Sequence, residues 1–361
     1  MKQGTFLSLF IKLEHLVQRL PEALQQPILR EITPIKTLFL LQRAPRLVLV
    51  GDRSASKADF LNALFGDEAL RKEEESLRDG FWQTFSRHGH GTMAVLDSRR
   101  PVSLAAAEAA LTTQSADLFL FLRRGTELDG EMAADIEHAA RIVEAAGRLP
   151  DSQPRVLGLQ FGDDEKAREQ LHAALHTRSE IGAKMIGTVP FNETPAGINR
   201  LVELLGAELP GEAQLEMARL SGNRVLQSQI AQVVIKSATA ISGAVGAQPI
   251  PLADFPILTS LQAGLVAGIM HISGREMSAR LAGEFIAAIG ANFGAGVALR
   301  EGARAVVKLV PLWGNAISGA VAAAGTYSIG RGAQAYFIEG VSIKDARRLF
   351  RKKTPPTPQL T

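Results

Sequence analysis

Cysteine is absent from this chain of 361 residues, and several kinds of chemistry are excluded with it. Without Cys there is no disulfide bond, no thiol nucleophile, and no zinc or iron–sulfur site built on Cys ligands. A strong excess of one charge is missing too, because the formal net charge is only +3. We therefore expect no nucleic-acid partner.

A secretory signal is also lacking at the start of the sequence. The apolar run within residues 1–12 is too short for such a signal, and no small-residue cleavage site follows it. Together with the absence of cysteine, this predicts a cytoplasmic protein.

The first 44 residues are expected to form a helical arm. Apolar residues recur there at the spacing of one helix face, at Phe6, Phe10, Leu13, Val17 and Leu20. Pro21 is well placed to begin a second helix, which we expect to continue through residue 28. Packing of this arm on its neighbour is the preferred interpretation, and a helix lying on a membrane surface is the alternative.

Residues 45–208 alternate between strand and helix patterns. The predicted strands are 46–50, 81–87, 92–96, 116–122, 155–160 and 184–190. The predicted helices between them are 57–65, 102–111, 130–146, 166–175 and 196–205. This pattern predicts an α/β domain with a mixed, mostly parallel six-stranded sheet and helices on both faces. The turn Gly89-His90-Gly91 makes strands two and three an antiparallel hairpin, which is the layout of a Ras-like G domain.

The stretch from Gly51 to Ala58 has the pattern of a phosphate-binding loop with changed residues. In the motif G-x-x-x-x-G-K-[ST], backbone N–H groups cradle phosphates, the Lys reaches the β and γ oxygens, and the last hydroxyl holds Mg²⁺. Gly51 and Lys57 have the right spacing, whereas Ser56 replaces the second glycine and Ala58 replaces the hydroxyl. The candidate nucleotide-binding residues, weak or vestigial, are Gly51, Asp52, Arg53, Ser54, Ala55, Ser56, Lys57 and Ala58, joined by Asp97 and Asp163 from two later motifs.

The motif that should sense the γ-phosphate is altered as well. Asp97-Ser98-Arg99-Arg100-Pro101 resembles the D-x-x-G switch, with Asp97 matching and Arg100 in place of the glycine. Arg99 and Arg100 could contact an anion, but we expect them to form a solvated basic loop. Between residues 66 and 81 there is no threonine to hold Mg²⁺ and the γ-phosphate, and the charged run there is expected to be a solvated loop.

The base-reading motif N-K-x-D is weakened in the same way. Gln160-Phe161-Gly162-Asp163 stands in its place, so that only Asp163 could accept hydrogen bonds from guanine. The loop 191–195 occupies the position of a further base-binding motif, which is lost, although the helix after it remains. No residue is a convincing general base or arginine finger, and we assign no catalytic residue and no metal ligand.

Two segments carry a family resemblance. Phe60-Leu-Asn-Ala-Leu-Phe-Gly66 resembles the helix after the P-loop in Era-like and dynamin-like GTPases. Lys308-Leu-Val-Pro311, with Thr326-Tyr327 and Gly330, resembles a YcjF-like bacterial helical domain of unknown function that is fused to Era-like GTPases. The resemblance covers nearly the whole chain. It implies a degenerate G domain, which we place at 45–208, followed by a helical domain, which is all-α and Ala/Gly-rich at 225–345. From the sequence pattern we expect a linker helix at 209–224 and a basic, Pro-rich tail at 346–361.

The resemblance also implies a link to membranes, which the C-terminal sequence supports only in part. The runs 285–299 and 309–330 could form a hairpin with both ends on the positive, cytosolic side of the inner membrane. Their apolar character comes from Ala and Gly, however, which insert less readily than Leu. A soluble helical bundle therefore remains the alternative to association with the cytoplasmic face of the membrane.

These patterns lead to one preferred function and two alternatives. The preferred function is a degenerate GTPase-fold module that interacts with a protein partner at a membrane, binds GTP weakly or not at all, and does not hold Mg²⁺ in the usual way. The first alternative is an active switch that hydrolyses GTP slowly. The second is a membrane-inserting or remodelling helical protein regulated by its G domain. A homo-oligomer is compatible with each of them.

Overall fold

The computed structural model describes most of the chain. The described residues are 22–65, 79–87, 90–127, 129–150, 152–247, 254–290 and 314–352, together with 11, 14, 15, 17 and 18. Much of the charged run 66–81, the centre of the proposed membrane hairpin, most of the first arm helix and most of the tail lie outside these residues. The chain divides into two units, a helical unit of Met1–Gln42 with Arg224–Thr361 and a sheet unit of Arg43–Asn223.

The sheet unit contains a six-stranded sheet in the order β2-β3-β1-β4-β5-β6. Its strands are β1 Arg46–Gly51, β2 Trp82–Arg87, β3 Gly91–Asp97, β4 Leu118–Arg123, β5 Val156–Phe161 and β6 Met185–Phe191. Only the β2–β3 pair is antiparallel, and the other four pairs are parallel. The predicted α/β class and mostly parallel sheet are confirmed, and this topology is compatible with a Ras-like fold.

The strands form because their apolar runs can be buried on both faces of the sheet. All six residues of β4 are buried, as are five of the six in β1. Strands buried on both faces read as continuous apolar runs instead of alternating ones, because helices cover each side of a parallel sheet. The largest described side chains in this core include Phe60, Phe119 and Phe121, each 0% exposed.

The helices of the sheet unit follow the strands in chain order. Helix α1, Glu22–Phe39, belongs to the helical unit. The helices of the sheet unit are α2 Lys57–Phe65, α3 Leu104–Thr113, α4 Gly130–Gly147, α5 Glu165–His176, α6 Ser179–Gly182, α7 Pro195–Glu208 and α8 Gly211–Ser221. Thr194 caps α7 by accepting a hydrogen bond from the Gly197 N–H, as the sequence Thr-Pro predicts. Helix α8, within the stretch interpreted from sequence as a linker, packs on β3 in this unit, where Glu216 accepts a 2.7 Å hydrogen bond from the Thr92 N–H.

The helical unit is built from α1 Glu22–Phe39 and five C-terminal helices. These are α9 Arg224–Gly246, α10 Asp254–Ile272, α11 Ala279–Gly290, α12 Gly314–Phe337 and α13 Ile343–Lys352. Helix α1 runs well past residue 28 and contains Pro27 and Pro34. It packs on α9, so the described part of the predicted arm lies against a neighbouring helix.

Small residues bring α9 and α12 close together. A Cβ added to Gly319 would lie 2.7 Å from the Gly243 carbonyl oxygen and 3.0 Å from the Ala247 Cβ. The Ala and Gly residues of this region, which in the sequence weaken the case for a membrane hairpin, allow close helix packing here. Within the described residues, no helix has both the length and the apolar character needed to cross a membrane.

Candidate functional site

The β1–α2 loop, residues 52–56, lies at the carboxyl edge of the sheet. Strand β1 ends at Gly51 and α2 begins at Lys57, as the sequence predicts. Gly51 has φ +96°, and a Cβ there would lie 2.6 Å from the Leu122 carbonyl oxygen. Glycine is therefore required at this position both for its backbone conformation and for the close approach of β4.

Lys57 is paired with carboxylates of its own chain. Its Nζ lies 2.9 Å from Asp97 at the end of β3 and 3.5 Å from Asp79, and its side chain is only 12% exposed. The loop and Asp97, predicted from separate motifs, are thus brought together. The ammonium group that would reach a phosphate is already held between two carboxylates.

Arg99 is buried, and the expectation of a solvated loop at this residue is wrong. Its exposure is 3%. Its Nε and Nη2 donate to the two carboxylate oxygens of Asp97, each at 2.9 Å. Its Nη1 donates to the main-chain carbonyls of Asp52 at 3.1 Å and Ala55 at 2.5 Å. A charged guanidinium tolerates burial because every one of these oxygens compensates its lost hydration.

Asp97 stays ionised in this environment. Burial alone would raise its pKa, but the hydrogen bonds and charge of Arg99, with Lys57 adding to them, lower the pKa to about 2. Since Asp97 lies between two cations, its carboxylate is the central anion of the site.

Two side chains, Asp52 and Ser56, accept hydrogen bonds from backbone N–H groups in and around this loop and in the first turn of α2. Asp52 accepts a 2.7 Å hydrogen bond from the Ser54 N–H, and its other oxygen accepts one from the Arg124 N–H at 3.1 Å. Ser56 Oγ accepts from the Asp59 N–H at 3.1 Å, in the manner of a helix N-cap. The Ser54 and Asp59 N–H groups, in the loop and the first turn of α2, are the kind that a P-loop presents to phosphate, and here they bind protein oxygens.

The rim of the site is also made of ion pairs. Arg53 lies 2.5 Å from Asp79, and Arg100 lies 3.4 Å from Asp135 on α4. Arg100 is substantially exposed, so the expectation of a solvated side chain holds for this residue. His138 on α4 is within 3.0 Å of the Ser98 carbonyl oxygen. Burial raises the pKa of Asp135 to about 6 despite the opposing charge of Arg100, and burial lowers the pKa of His138.

Asp163 belongs to a separate cluster after β5. Because β4 lies between β1 and β5, the two loops are separated by two strand spacings, or roughly 10 Å. The Asp163 carboxylate accepts a 2.7 Å hydrogen bond from the Asn192 amide, and Asn192 accepts one from Thr194 at 2.7 Å. The one base-reading residue that matches the motif is therefore engaged by the loop after β6.

Gln160, in the same altered motif, is fully buried. Its Nε2 donates to the Gly125 carbonyl at 3.3 Å, while its Oε1 and the Nε of Arg123 are buried without a hydrogen-bond partner among the described residues. Both side chains line a shallow cleft that has no enclosed space even for a water molecule, so this cleft cannot enclose a nucleotide.

The residues present do not fit the ligands that the family resemblance implies. Mg²⁺ would need a loop hydroxyl, which Ala58 lacks, and both oxygens of Asp97 are bound to cations of the chain. A triphosphate would need Lys57, which is bound by carboxylates, and loop amides such as the Ser54 N–H, which is bound by Asp52. Among the described residues there is also no group of three His, Asp or Glu side chains that could hold a metal ion.

Comparison with known proteins adds no family assignment. No protein-family model matches the chain. No curated protein matches it at a significant level. The interpretation of the site therefore rests on its own geometry.

Sequence reasoning missed Asp79 and gave two other residues of this site different roles: Arg99 was expected in a solvated loop, and Asp52 among the residues that bind nucleotide. Arg99 looks like a surface residue because it stands beside a second arginine and a proline, the pattern of a loop. Asp79 lies at the end of a charged run, and Asp52 occupies a variable position of the motif. The one available signal is charge. Because the chain keeps Asp97 but lacks the Mg²⁺ ligand at Ala58, the Asp97 carboxylate needs a cation from the chain, and arginine is the usual partner for a buried carboxylate.

Proposed function

We propose that this protein is a degenerate GTPase-fold module that works without nucleotide chemistry, as an interaction or regulatory domain. One observation carries the proposal: Lys57, which would bind the β and γ oxygens, is held 2.9 Å from Asp97 in a site where Arg99 binds the same carboxylate. A nucleotide would have to draw Lys57 away from Asp97 and to displace the protein oxygens that the Ser54 and Asp59 N–H groups already bind.

Other features of the site support the same function. The Ser54 N–H is bound by Asp52, Asp163 is bound by Asn192, and Ala58 supplies no oxygen for Mg²⁺. The β-strands and helices that position these groups are intact. Such a framework, in which the former ligand groups bind one another, can present a stable surface to a partner. It is unsuited to phosphoryl transfer, because that reaction depends on Mg²⁺ and on cations free to bind phosphate.

Equilibrium titration with fluorescent GTP and ATP, with and without Mg²⁺, tests this function. We expect no saturable binding in the micromolar range by the wild-type protein, and no difference between wild type and Lys57→Ala. Micromolar binding that requires Mg²⁺ and is lost in Lys57→Ala would instead establish the alternative, an active GTP-binding switch. Lys184→Ala, which removes a lysine just before β6, at the edge of the sheet opposite the loop, is the matched control.

A second candidate function, contact with an anionic membrane surface, is favoured by helix α13. Residues 344–353 contain six Lys or Arg residues and one acidic residue, Asp345. Asp345 is bound by Ser342 at 2.7 Å and lies 3.4 Å from Arg348. Ala346 is fully buried, whereas Lys344 and Arg348 on the opposite face are exposed. Clusters of four to eight cations on a helix attract anionic lipids by about 1 kcal/mol per residue.

Flotation of the full chain with vesicles tests this second function. We expect binding to vesicles that contain anionic lipid, and loss of most of it in the double variant Lys344→Glu/Arg348→Glu. The variant Arg141→Glu/Arg148→Glu, with the same change of charge on α4, is expected to bind as the wild type does. Equal loss in both double variants, or binding to neutral vesicles, would contradict a specific role for α13.

A further inference from the structure

The guanidinium of Arg99 is enclosed by oxygen atoms beneath the β1–α2 loop. Both carboxylate oxygens of Asp97 accept hydrogen bonds from it at 2.9 Å, and the carbonyls of Asp52 and Ala55 accept from its Nη1 at 3.1 and 2.5 Å. One carboxylate and two main-chain carbonyls form the kind of oxygen set that hard cations prefer. The loop thus surrounds a cation, although its sequence resembles a loop that surrounds an anion.

We propose that Arg99 is the resident cation of this loop and replaces the metal ion that the family resemblance implies. The inference rests on the proposed function, since a loop that binds nucleotide would need a metal and a free lysine. It identifies Arg99 as a positioning residue: its side chain ties the loop carbonyls to the end of β3 and keeps Asp97 neutralised.

Two properties of the site explain how an arginine can take this place. The change to Ala58 removes the loop hydroxyl, so a metal ion would lack a ligand from α2. A guanidinium is charged at every physiological pH, is weakly hydrated, and forms a planar fork that matches a carboxylate. Because it is covalently attached, it is present at every metal concentration. The β1–α2 loop is therefore tied to Asp97 by Arg99 without any external ion.

Removal of Arg99 should leave an oxygen-lined cavity that accepts a small planar cation. In Arg99→Ala, we expect the free energy of unfolding to fall and low-millimolar guanidinium to restore part of it, raising the ratio of folded to unfolded protein several-fold relative to NaCl at the same ionic strength. Arg100→Ala removes the neighbouring, more exposed arginine and is the matched control. We expect guanidinium to give no such increase in Arg100→Ala or in the wild type.

Two further measurements keep the inference testable if Arg99→Ala does not fold. Arg99→Lys retains a cation and Arg99→Gln does not, so we expect Arg99→Lys to be the more stable of the two. In a titration with Mn²⁺, we expect the wild-type protein and Asp97→Asn to behave alike, because Arg99 already occupies the Asp97 carboxylate.

Opposite results would overturn the inference. They are an equal effect of guanidinium on Arg99→Ala and Arg100→Ala, a stability of Arg99→Gln equal to or above that of Arg99→Lys, or Asp97-dependent Mn²⁺ binding by the wild type. These outcomes are distinguishable from failure of the proposed function. GTP binding by the wild type would contradict that function even with rescue by guanidinium, and failure of rescue without GTP binding would contradict only the role of Arg99.

Discussion

Among the described residues, the sheet unit buries charged as well as neutral polar side chains, whereas the buried polar side chains of the helical unit are neutral. At the carboxyl edge of the sheet, Asp97 and Arg99 are buried together with Lys57 close by. In the described part of the helical unit, the buried polar residues are uncharged: Gln227, Ser237, Ser242, Thr326, Ser328 and Gln334. Replacing a buried ion pair with apolar residues is often neutral or stabilising, so stability alone gives weak reason to keep one.

The comparison shows two roles for buried polar side chains: in the helical unit they link packed helices, and at the carboxyl edge of the sheet they form the candidate site. In the helical unit, Gln262 donates to Thr326 at 3.1 Å and Thr326 donates to Ser242 at 2.8 Å, so a short neutral chain links α10, α12 and α9. Small residues bring these helices together. In the sheet unit, by contrast, Asp52, Asp97 and Arg99 form a buried charged cluster at the β1–α2 loop. Asp117 and Glu216 are buried elsewhere in the unit, where they pair with Arg43 and Arg219.

Loss of Asp97 should have the largest effect. Asp97→Asn leaves Arg99 and Lys57 close together without their shared carboxylate, and breaking a buried pair from one side costs about 3–5 kcal/mol. Denaturant unfolding of the full chain measures the change. Asp163→Asn, at an exposed carboxylate, is expected to cost under about 0.5 kcal/mol. Equal effects of the two substitutions would remove the distinction between the site and the surface.

A substitution in the close contact of α9 and α12 should come next. In Gly319→Ala the new Cβ would lie 2.7 Å from the Gly243 carbonyl, so the helices must move apart, at a cost of about 1–3 kcal/mol. Gly325→Ala on the same helix meets no atom within 4 Å and should be neutral or slightly stabilising, because alanine favours helix more than glycine does. A destabilising Gly325→Ala or a neutral Gly319→Ala, measured by thermal unfolding, would contradict this packing.

The neutral hydrogen-bond chain gives a smaller effect. Thr326→Val removes the hydroxyl between Gln262 and Ser242 and should cost about 1–2 kcal/mol. Thr239 in α9 is the control, because its hydroxyl oxygen is buried without a hydrogen-bond partner among the described residues. Thr239→Val should be neutral or stabilising in the same unfolding measurement. A larger loss in Thr239→Val than in Thr326→Val would be incompatible with the hydrogen bonds described.

The smallest effect concerns pH at the rim of the charged site. The pKa of Asp135 is raised to about 6, above its value near 4 in an unfolded chain, so the folded state binds the extra proton. Stability from this group is present below about pH 4 and is lost as the pH rises to about 6, by an amount on the order of 1 kcal/mol. Asp135→Asn should flatten this dependence in unfolding curves recorded across that range, whereas Glu144→Gln on the same helix should not.

Asp97 has the opposite dependence on pH. Its pKa is lowered to about 2, so the stability it contributes is present above about pH 4 and is lost as the pH falls toward 2. Asp97 therefore stays ionised, and bound to Arg99 and Lys57, throughout the pH range in which Asp135 titrates.

The strands and helices of the sheet unit could be predicted from sequence, but the contacts of the site could not. All six strands and the five helices predicted between them are confirmed, with most ends within two residues, because long apolar runs and capping residues such as Thr194 are local signals. The contacts of Arg99 join residues 44 and 47 positions apart, and no local pattern encodes them. The burial of Arg99 depends on the sheet order that places β3 beside β1.

The most direct test of the account is whether GTP with Mg²⁺ stabilises the sheet unit against denaturant. Ligand at 100 times its Kd adds about 2.7 kcal/mol to the free energy of unfolding, so micromolar binding would be plain at millimolar GTP. We predict no shift of the unfolding midpoint and no difference between wild type and Lys57→Ala. An increase of about 2.7 kcal/mol in the free energy of unfolding, lost in Lys57→Ala, would contradict the claim that Asp97 and Arg99 keep Lys57 and the loop from binding nucleotide.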